Sequence, residues 1–164
     1  MRYLQGTVDL VLSLSADGSG IIRWWVDASY AVHPDMKGHT GGTMSMGEGS
    51  IYSMASGQKL VARSSTESEL IGVHDIMPQM IWTAYFLNAQ GHVVDTLMHQ
   101  DNMSSMLLEK NGRMSSSKRT RHINIRYFFV KDRVESGKLR IEHCPTGDMR
   151  ADYFTKPLQG KLFY

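Results

Sequence analysis

One acidic residue stands inside an apolar and aromatic stretch of the sequence. Residues 21–30 read Ile-Ile-Arg-Trp-Trp-Val-Asp-Ala-Ser-Tyr, a pattern typical of a buried strand, and Asp27 is the only acid among them. A carboxylate buried among apolar neighbours is strongly destabilising unless something compensates its charge. A metal ion, or a second group that shares a proton with it, would do so. The alternative is that Asp27 ends the strand and caps a turn.

Other acids stand where a carboxylate can serve either chemistry or local structure. Asp101 falls where a predicted strand runs into a predicted helix, which is a common ligand position and also a common N-cap. Glu67 and Glu69 follow Ser64 and Thr66 with the spacing of two capping boxes. Because they are two residues apart, the glutamates point about 200° away from each other on a helix. At most one of them can therefore face a given site.

The last predicted helix carries two more acids. Asp148 and Asp152 are four residues apart, so they share one face of a helix over 148–155. The Lys-Pro pair at 156–157 ends this helix.

The periodicity of the chain predicts a mixed α/β architecture, with strands where residues alternate and helices where apolar residues recur at three and four. Pro78 should kink or split the first long helix. Gly41 and Gly42 indicate either a bulge or the close approach of another backbone. Strands are predicted at 8–15, 21–30, 39–46, 50–56, 93–100 and 139–144, helices at 65 to about 87, 101–110, 119 to about 136 and 148–155, and a polar linker at 111–118.

This order of elements brings the acids together. Three antiparallel strands, a crossover helix and two further strands form a mixed five-stranded sheet with helices on its faces. Asp27 and Asp101 lie on neighbouring strands if the crossover is right-handed, and Glu69 and Asp152 can close the group. Crowded carboxylates repel one another and have raised pKa values. Two divalent cations about 4 Å apart would remove that penalty and would suit phosphodiester hydrolysis.

Length and composition are those of one globular domain. The 164 residues suffice for a sizeable core, 41% of them are hydrophobic, and no apolar run is long enough to span a bilayer. The single cysteine, Cys144, excludes an intrachain disulfide. Residues 110–140 hold ten Lys or Arg and two acids, against eight and fourteen in the rest. This basic stretch is either a footprint for a polyanion or a solvated helix face.

Six short motifs stand in a fixed order along the chain. They are RYLQGT at 2–7, VDASY at 26–30, SSTESEL at 64–70, QDN at 100–102, TRHINIRY at 120–127, and PTGDMRAD with TKPL between 145 and 158. Together they resemble the ribonuclease H domain at the end of the polymerase polyprotein of copia-type LTR retrotransposons. The first 18 residues resemble the join to the polymerase region. We therefore expect a lead-in over 1–18 and a ribonuclease H domain over 19–164.

The resemblance implies an α/β, ribonuclease H-like fold, a mixed five-stranded sheet with helices on both faces. It also implies endonucleolytic hydrolysis of the RNA strand of RNA–DNA hybrids during retrotransposon reverse transcription. Two Mg²⁺ or Mn²⁺ ions would activate the attacking water and stabilise the leaving 3′-oxygen. Glu69 is chosen over Glu67 because Leu-Ile-Gly follows it. The catalytic and metal-binding residues so implied are Asp27, Glu69, Asp101 and Asp152.

The same resemblance implies partners and a location. They are an RNA–DNA hybrid, an upstream reverse transcriptase domain in the parent polyprotein, no membrane, and an intracellular site in the cytoplasm or a virus-like particle. The RNA 2′-hydroxyls would be read by polar groups, and the phosphates would be bound by arginines. The nucleic-acid-binding residues implied are Ser29, Ser65, Thr66 and Asn102 for the hydroxyls, and Arg119, Arg121 and Arg126 for the phosphates.

The chain departs from its bacterial relatives in the loop before the last helix. Those relatives carry a histidine there that aids product release, whereas this loop is Pro-Thr-Gly at 145–147. His143 and His122 are candidates to replace it, and the alternative for both is structural packing, buried or at the surface. The role of Asp148 is equally open. Two other functions also stay open. They are a catalytically silent hybrid-binding or polymerase-connecting module of the same fold, and a nuclease or strand-transfer enzyme that acts on DNA.

Overall fold

The computed structural model describes residues 5–101 and 121–156, the second stretch without the side chains of 121–124 and 127. The strands are β1 (Ser15–Ala16), β2 (Ile21–Ser29), β3 (His39–Ser45), β4 (Gly47–Glu48), β5 (Tyr52–Gly57), β6 (Asp95–Gln100) and β7 (Arg140–His143). The α-helices are α1 (Ser65–Ala89) and α2 (Arg121–Glu135), and the 3₁₀ helices are Thr146–Asp148 and Arg150–Phe154.

Five of the strands form one mixed sheet in the order β5-β3-β2-β6-β7. The strands β2, β3 and β5 pair in antiparallel fashion, and β6 and β7 run parallel to β2. Helix α1 is the crossover between β5 and β6 and packs on one face, whereas the 3₁₀ helix Arg150–Phe154 packs on β2 and β3. The predicted five-stranded α/β fold is confirmed.

The alternation of side chains along β2 decides which of them face which layer. Ile22, Trp24 and Val26 join the main core with residues of α1 and α2. Trp25 packs in a second cluster with residues of the C-terminal 3₁₀ segment. Asp27 is two residues beyond Trp25 and therefore points to this second face of the sheet.

Helix α1 continues through Pro78 as a single helix, so the predicted split is wrong. Met77 and Met80, one on either side of the proline region, are each 1% exposed and belong to the main core. Their packing holds both halves of the helix together. The predicted N-cap is confirmed, because the Ser64 hydroxyl accepts a hydrogen bond from the backbone N–H of Glu67 at 3.2 Å.

The predicted strand over 8–15 is wrong. Only Ser15–Ala16 pairs, and it pairs with Gly47–Glu48 outside the main sheet. Val8 and Val11 are 77% and 85% exposed, so the apolar side chains that suggested a strand are not buried against the described sheet. An alternating pattern without a surface to cover does not form a strand.

The glycines of β3 mark a close approach and not a bulge. The register between β2 and β3 runs without interruption past Gly41 and Gly42. A Cβ atom on Gly41 would lie 2.9 Å from the backbone oxygen of Ala151, and one on Gly42 would collide with the end of the Ile76 side chain. Glycine at position 41 therefore allows the 3₁₀ helix to lie directly on the sheet.

The predicted helix over 148–155 is wrong as well. Two 3₁₀ helices take its place, and Met149 between them has the extended dihedrals φ −74° and ψ 90°. Asp148 and Asp152 consequently do not share one helix face. Helix α2 and β7 match the predicted helix that ends near 136 and the predicted strand 139–144.

The predicted short helix after Asp101 and the linker at 111–118 lie outside the described residues. None of the helices in the described ranges combines the length and apolar character that a membrane-spanning segment needs.

Candidate metal centre

Three of the four predicted acids meet near the carboxyl ends of the central strands β2 and β6. Asp27 is 2% exposed within β2, and the parallel neighbour β6 ends immediately before Asp101. The second 3₁₀ helix brings Asp152 onto the same face. Carboxylate oxygens of these three residues all lie within 4.8 Å of one another. The fold thus gathers acids from a strand, a strand end and a C-terminal turn into one cluster.

Glu69 approaches this cluster from the first turns of α1. Its side chain is buried, and burial together with the negative charges of Asp27 and Asp101 raises the pKa of Glu69 to about 9. Glu69 is not a member of the group whose oxygens lie within 4.8 Å of one another. Because its pKa is about 9, the Glu69 carboxyl group keeps a proton at neutral pH. A bound cation would favour the ionised form.

The two glutamates of α1 have different environments. The Glu67 carboxylate accepts a hydrogen bond from the backbone N–H of Arg63 at 2.8 Å and so belongs to the helix cap. Glu69 lies near Asp27 and Asp101. Only one of the pair faces the acids, as their spacing of two residues requires.

Two neighbours that were not predicted from the sequence hold these acids in position. The fully buried amide of Gln100 donates to Oε2 of Glu69 at 3.4 Å, and its Oε1 accepts the backbone N–H of Asp101 at 3.0 Å. The hydroxyl of Thr146 donates to Oδ2 of Asp101 at 3.3 Å. The Pro-Thr-Gly loop at 145–147 thus contributes a threonine to the centre.

The turn after the last 3₁₀ helix also reaches the cluster. The Thr155 hydroxyl donates to Oδ2 of Asp27. The ammonium of Lys156 lies 2.6 Å from Oδ1 of Asp152 and 3.7 Å from Oδ2 of Asp27. The sequence contains a signal for these contacts, because Thr155 and Lys156 follow Asp152 by three and four residues.

The charges of this turn perturb one another. Burial raises the pKa of Asp152, and the nearby Asp27 raises it further, against the hydrogen bond from Lys156. Burial disfavours the charged form of Lys156, but the bond to Asp152 and the charge of Asp27 raise the pKa of this ammonium overall. The lysine is therefore a cation at neutral pH.

The donor set fits a hard divalent cation. Asp27, Asp101 and Asp152 offer carboxylate oxygens at mutual distances that one or two small ions can bridge. Glu69 lies close enough for the charges of Asp27 and Asp101 to raise its pKa. Mg²⁺ and Mn²⁺ prefer such oxygen ligands over nitrogen or sulfur. A cluster of acids that could bind metal is thus present where the sequence predicted one.

The predicted nucleic-acid-binding residues are spread over three elements. Ser29 ends β2, and its buried hydroxyl has no hydrogen-bond partner among the described residues. Ser65 is exposed and Thr66 half-buried in the first turn of α1. Arg126 is half-buried in α2, with a buried Nη1 that has no partner in the described ranges. Arg121 and His122 lie in α2 without described side chains, and Asn102 and Arg119 lie outside the described residues.

A groove of about 530 Å³ is lined by His143 and Asp148, both exposed, and by Trp25, which lies on the same face of β2 as Asp27. The His99 ring stacks on Trp25 at a centroid distance of 5.0 Å, and the Arg150 guanidinium lies 4.5 Å from the indole centroid. Neither His143 nor Asp148 belongs to the group of acids described above. Both residues thus line the groove and stay outside the acid cluster.

Solved structures with the same architecture are ribonucleases H and a reverse transcriptase. Ribonuclease H1 of the archaeon Halobacterium salinarum is 14% identical, with a TM-score of 0.56 over 82% of this chain and 93% of that one. Ribonuclease H1 LC11, solved in complex with an RNA/DNA hybrid, is 10% identical, with a TM-score of 0.56 over 81% and 92%. The prototype foamy virus protease-reverse transcriptase is 12% identical, with a TM-score of 0.55 over 89% of this chain and 22% of that one. The chain has the ribonuclease H fold.

Sequence relatives make the assignment more specific. The chain is 32% identical to retrovirus-related Pol polyproteins from transposon TNT 1-94 of Nicotiana tabacum and transposon RE2 of Arabidopsis thaliana, over 99% of its own length. It spans only 12% and 11% of those two polyproteins. No family profile matches the chain. The relatives of the chain are thus retrovirus-related Pol polyproteins of copia-type transposons, and its fold is that of the ribonucleases H.

Proposed function

We propose that this chain hydrolyses the RNA strand of RNA–DNA hybrids with divalent cations bound by Asp27, Glu69, Asp101 and Asp152. The observation that carries the proposal is the convergence of three of these acids within 4.8 Å of one another on a ribonuclease H fold. The hybrid complex of a protein with the same fold supports the choice of substrate.

Different residues of this chain would bind the cations, release a proton and position the ligands. Two Mg²⁺ or Mn²⁺ ions bound at the centre would supply water activation and stabilisation of the leaving 3′-oxygen. Asp27, Asp101 and Asp152 would bind the cations, and Glu69 would release its proton as they bind. Gln100 would hold the Glu69 side chain and the Asp101 backbone in fixed relative positions through its two hydrogen bonds. The barrier is lowered because the ligands are positioned before the substrate arrives.

The hybrid would be bound around this centre. Ser29, Ser65, Thr66 and Asn102 would contact ribose hydroxyls, which distinguish RNA from DNA. The phosphates would be bound by Arg119, Arg121 and Arg126, which lie in the most basic part of the chain. His143, His122 and Asp148 would lie at the margin of the substrate and take no part in binding the metals.

The relatives support a larger protein as the setting of this activity. They are Pol polyproteins, and the foamy virus protease-reverse transcriptase has this fold in 22% of its chain. We propose an upstream reverse transcriptase domain as partner, a lead-in over 1–18 that joins it to the domain over 19–164, and an intracellular location in the cytoplasm or a virus-like particle.

Cleavage of a labelled RNA–DNA hybrid in Mg²⁺ tests the proposal. The wild-type chain should cut the RNA strand, and Asp27→Asn should abolish cutting while hybrid affinity stays within about twofold, because the isosteric amide keeps the fold but removes a metal ligand. Hybrid binding without cutting by the wild type would identify a silent binding or connecting module. Preferential cutting of an all-DNA duplex would identify a DNA-directed enzyme. Cutting that survives Asp27→Asn would refute the assigned centre.

A further inference from the structure

The acid cluster already contains one positive charge. The Lys156 ammonium lies 2.6 Å from Asp152 and 3.7 Å from Asp27, two of the three acids that form the cluster. In the described ranges, no other lysine or arginine forms an ion pair with these acids. The ammonium therefore occupies oxygens that a divalent cation would use.

The backbone fixes this lysine in place. The N–H groups of Thr155 and Lys156 both donate to the Asp152 carbonyl, at 3.2 and 3.0 Å. The Thr155 hydroxyl donates to the same Asp27 oxygen that Lys156 approaches. The turn that carries the lysine is thus tied to both acids, whereas the Lys156 side chain is 42% exposed.

We infer that Lys156 is a built-in counter-cation of the metal centre, which holds Asp27 and Asp152 together before metal arrives and which a divalent ion must displace. The inference rests on the proposed function. An ammonium and a divalent cation compete for the same oxygens, because their charges repel at contact distance. The lysine thus weakens metal binding to the free protein and stabilises the metal-free fold. Its exposed stem gives the displaced ammonium a path into solvent.

Removal of the charge should strengthen metal binding. Titration of the 164-residue chain with Mn²⁺, followed by calorimetry without nucleic acid, would compare the wild type with Lys156→Met, which keeps the length of the stem. We expect the dissociation constant to fall by about tenfold, a discounted value for a partly exposed charge next to a divalent ion. Lys156→Arg keeps the charge and should stay within about twofold of the wild type.

A lysine elsewhere provides the matched control. Lys131 in α2 pairs with Glu135 at 3.4 Å, also four residues away along the chain. Lys131→Met changes the net charge equally and should leave the Mn²⁺ dissociation constant unchanged. In EDTA, Lys156→Met should melt at a lower temperature than Lys131→Met, and Mn²⁺ should reverse this difference.

The outcomes separate this inference from the proposed function. Equal or weaker Mn²⁺ binding by Lys156→Met, with clear binding by the wild type, would overturn the role of the lysine and leave the metal centre intact. No Mn²⁺ binding by either protein would overturn both. Tighter binding that also appears in Lys131→Met would reduce the effect to net charge and would likewise overturn the role of Lys156.

Discussion

The side chain of Gln100, at the end of β6, meets that of Glu69, in the first turns of α1. The amide of Gln100 donates to Glu69 at 3.4 Å, and its side-chain carbonyl accepts the backbone N–H of Asp101. One buried amide therefore couples two acids that come from different elements. Since Gln100 carries no charge, it can hold both without adding to their repulsion.

Gln100→Leu should loosen this coupling. The leucine leaves the partly buried N–H of Asp101 without its acceptor, which costs about 1–3 kcal/mol of unfolding free energy. Urea unfolding in EDTA measures that loss, and Mn²⁺ calorimetry should show weaker metal binding. Gln58→Leu is the control, because Gln58 is also buried but bonds Thr40 and Ser68 and none of the acids. If the two variants bind Mn²⁺ equally well, Gln100 does not organise the centre.

The raised pKa of Glu69 makes the metal-free protein sensitive to pH. The unfolded chain ionises this carboxyl near its ordinary value of 4.5, whereas the fold keeps the proton up to about 9. Between these values the folded state holds more protons than the unfolded state, so unfolding free energy falls as pH rises. Below about pH 4 both states are protonated and the penalty disappears.

Glu69→Gln should therefore stabilise the metal-free protein at neutral pH. We expect a gain on the order of 2–3 kcal/mol at pH 7 in EDTA and none near pH 4. Urea unfolding at the two pH values measures both differences. The same variant should lose hybrid cleavage, since the amide cannot become a carboxylate ligand. An equal gain at both pH values would show that ionisation of Glu69 is not its cause.

The strand β2 and the position of Asp27 within it could be predicted from the sequence, because both depend on a local residue pattern. The aromatic and β-branched run around Asp27 buries both faces of β2, and alternation alone puts Asp27 opposite Trp24 and Val26. The position of β6 beside β2 followed from the crossover of α1. The strand end before Asp101 was readable for the same reason, and parallel pairing with β2 carries that residue to the site.

The rest depends on packing that no local pattern encodes. Thr146, Thr155 and Lys156 reach the acids only because the C-terminal segment forms 3₁₀ turns against β3, where a regular helix was expected. Pro78 does not break α1 because buried methionines on both sides pack into the core. The stretch 8–15 has the alternation of a strand, but its apolar side chains do not pack against the described part of the sheet.

The glycines of β3 offer a contrast between two neighbouring positions. Gly41→Ala would place its Cβ 2.9 Å from the Ala151 carbonyl oxygen and 2.6 Å from a Thr155 methyl, so the 3₁₀ helix that carries Asp152 must shift. Gly42→Ala meets the movable end of Ile76 in the main core. We expect both variants to lose roughly 1–3 kcal/mol of unfolding free energy.

Only Gly41→Ala should also weaken Mn²⁺ binding, because it separates Asp152 from Asp27. Calorimetry of both folded variants, checked by far-UV circular dichroism, measures the difference. Equal Mn²⁺ affinities would mean that the contact between β3 and the 3₁₀ helix does not set the geometry of the centre.

The basic stretch should reveal itself in the salt dependence of hybrid binding. Each phosphate contact contributes about 0.9 to the slope of log K against log salt concentration on duplex DNA. Replacing Arg119 and Arg121 together by alanine should lower the slope by roughly 1–2 and weaken binding to all hybrid sequences alike. Fluorescence anisotropy in EDTA, between about 50 and 200 mM salt, measures the slope without cleavage. Replacing Arg23 and Lys37 together by alanine is the control, because both lie outside the basic stretch and are already paired, with Asp17 at 2.7 Å and with Asp35 at 2.6 Å. A slope that falls equally in the control would assign the effect to net charge, and an unchanged slope in the double variant would make the stretch a solvated face.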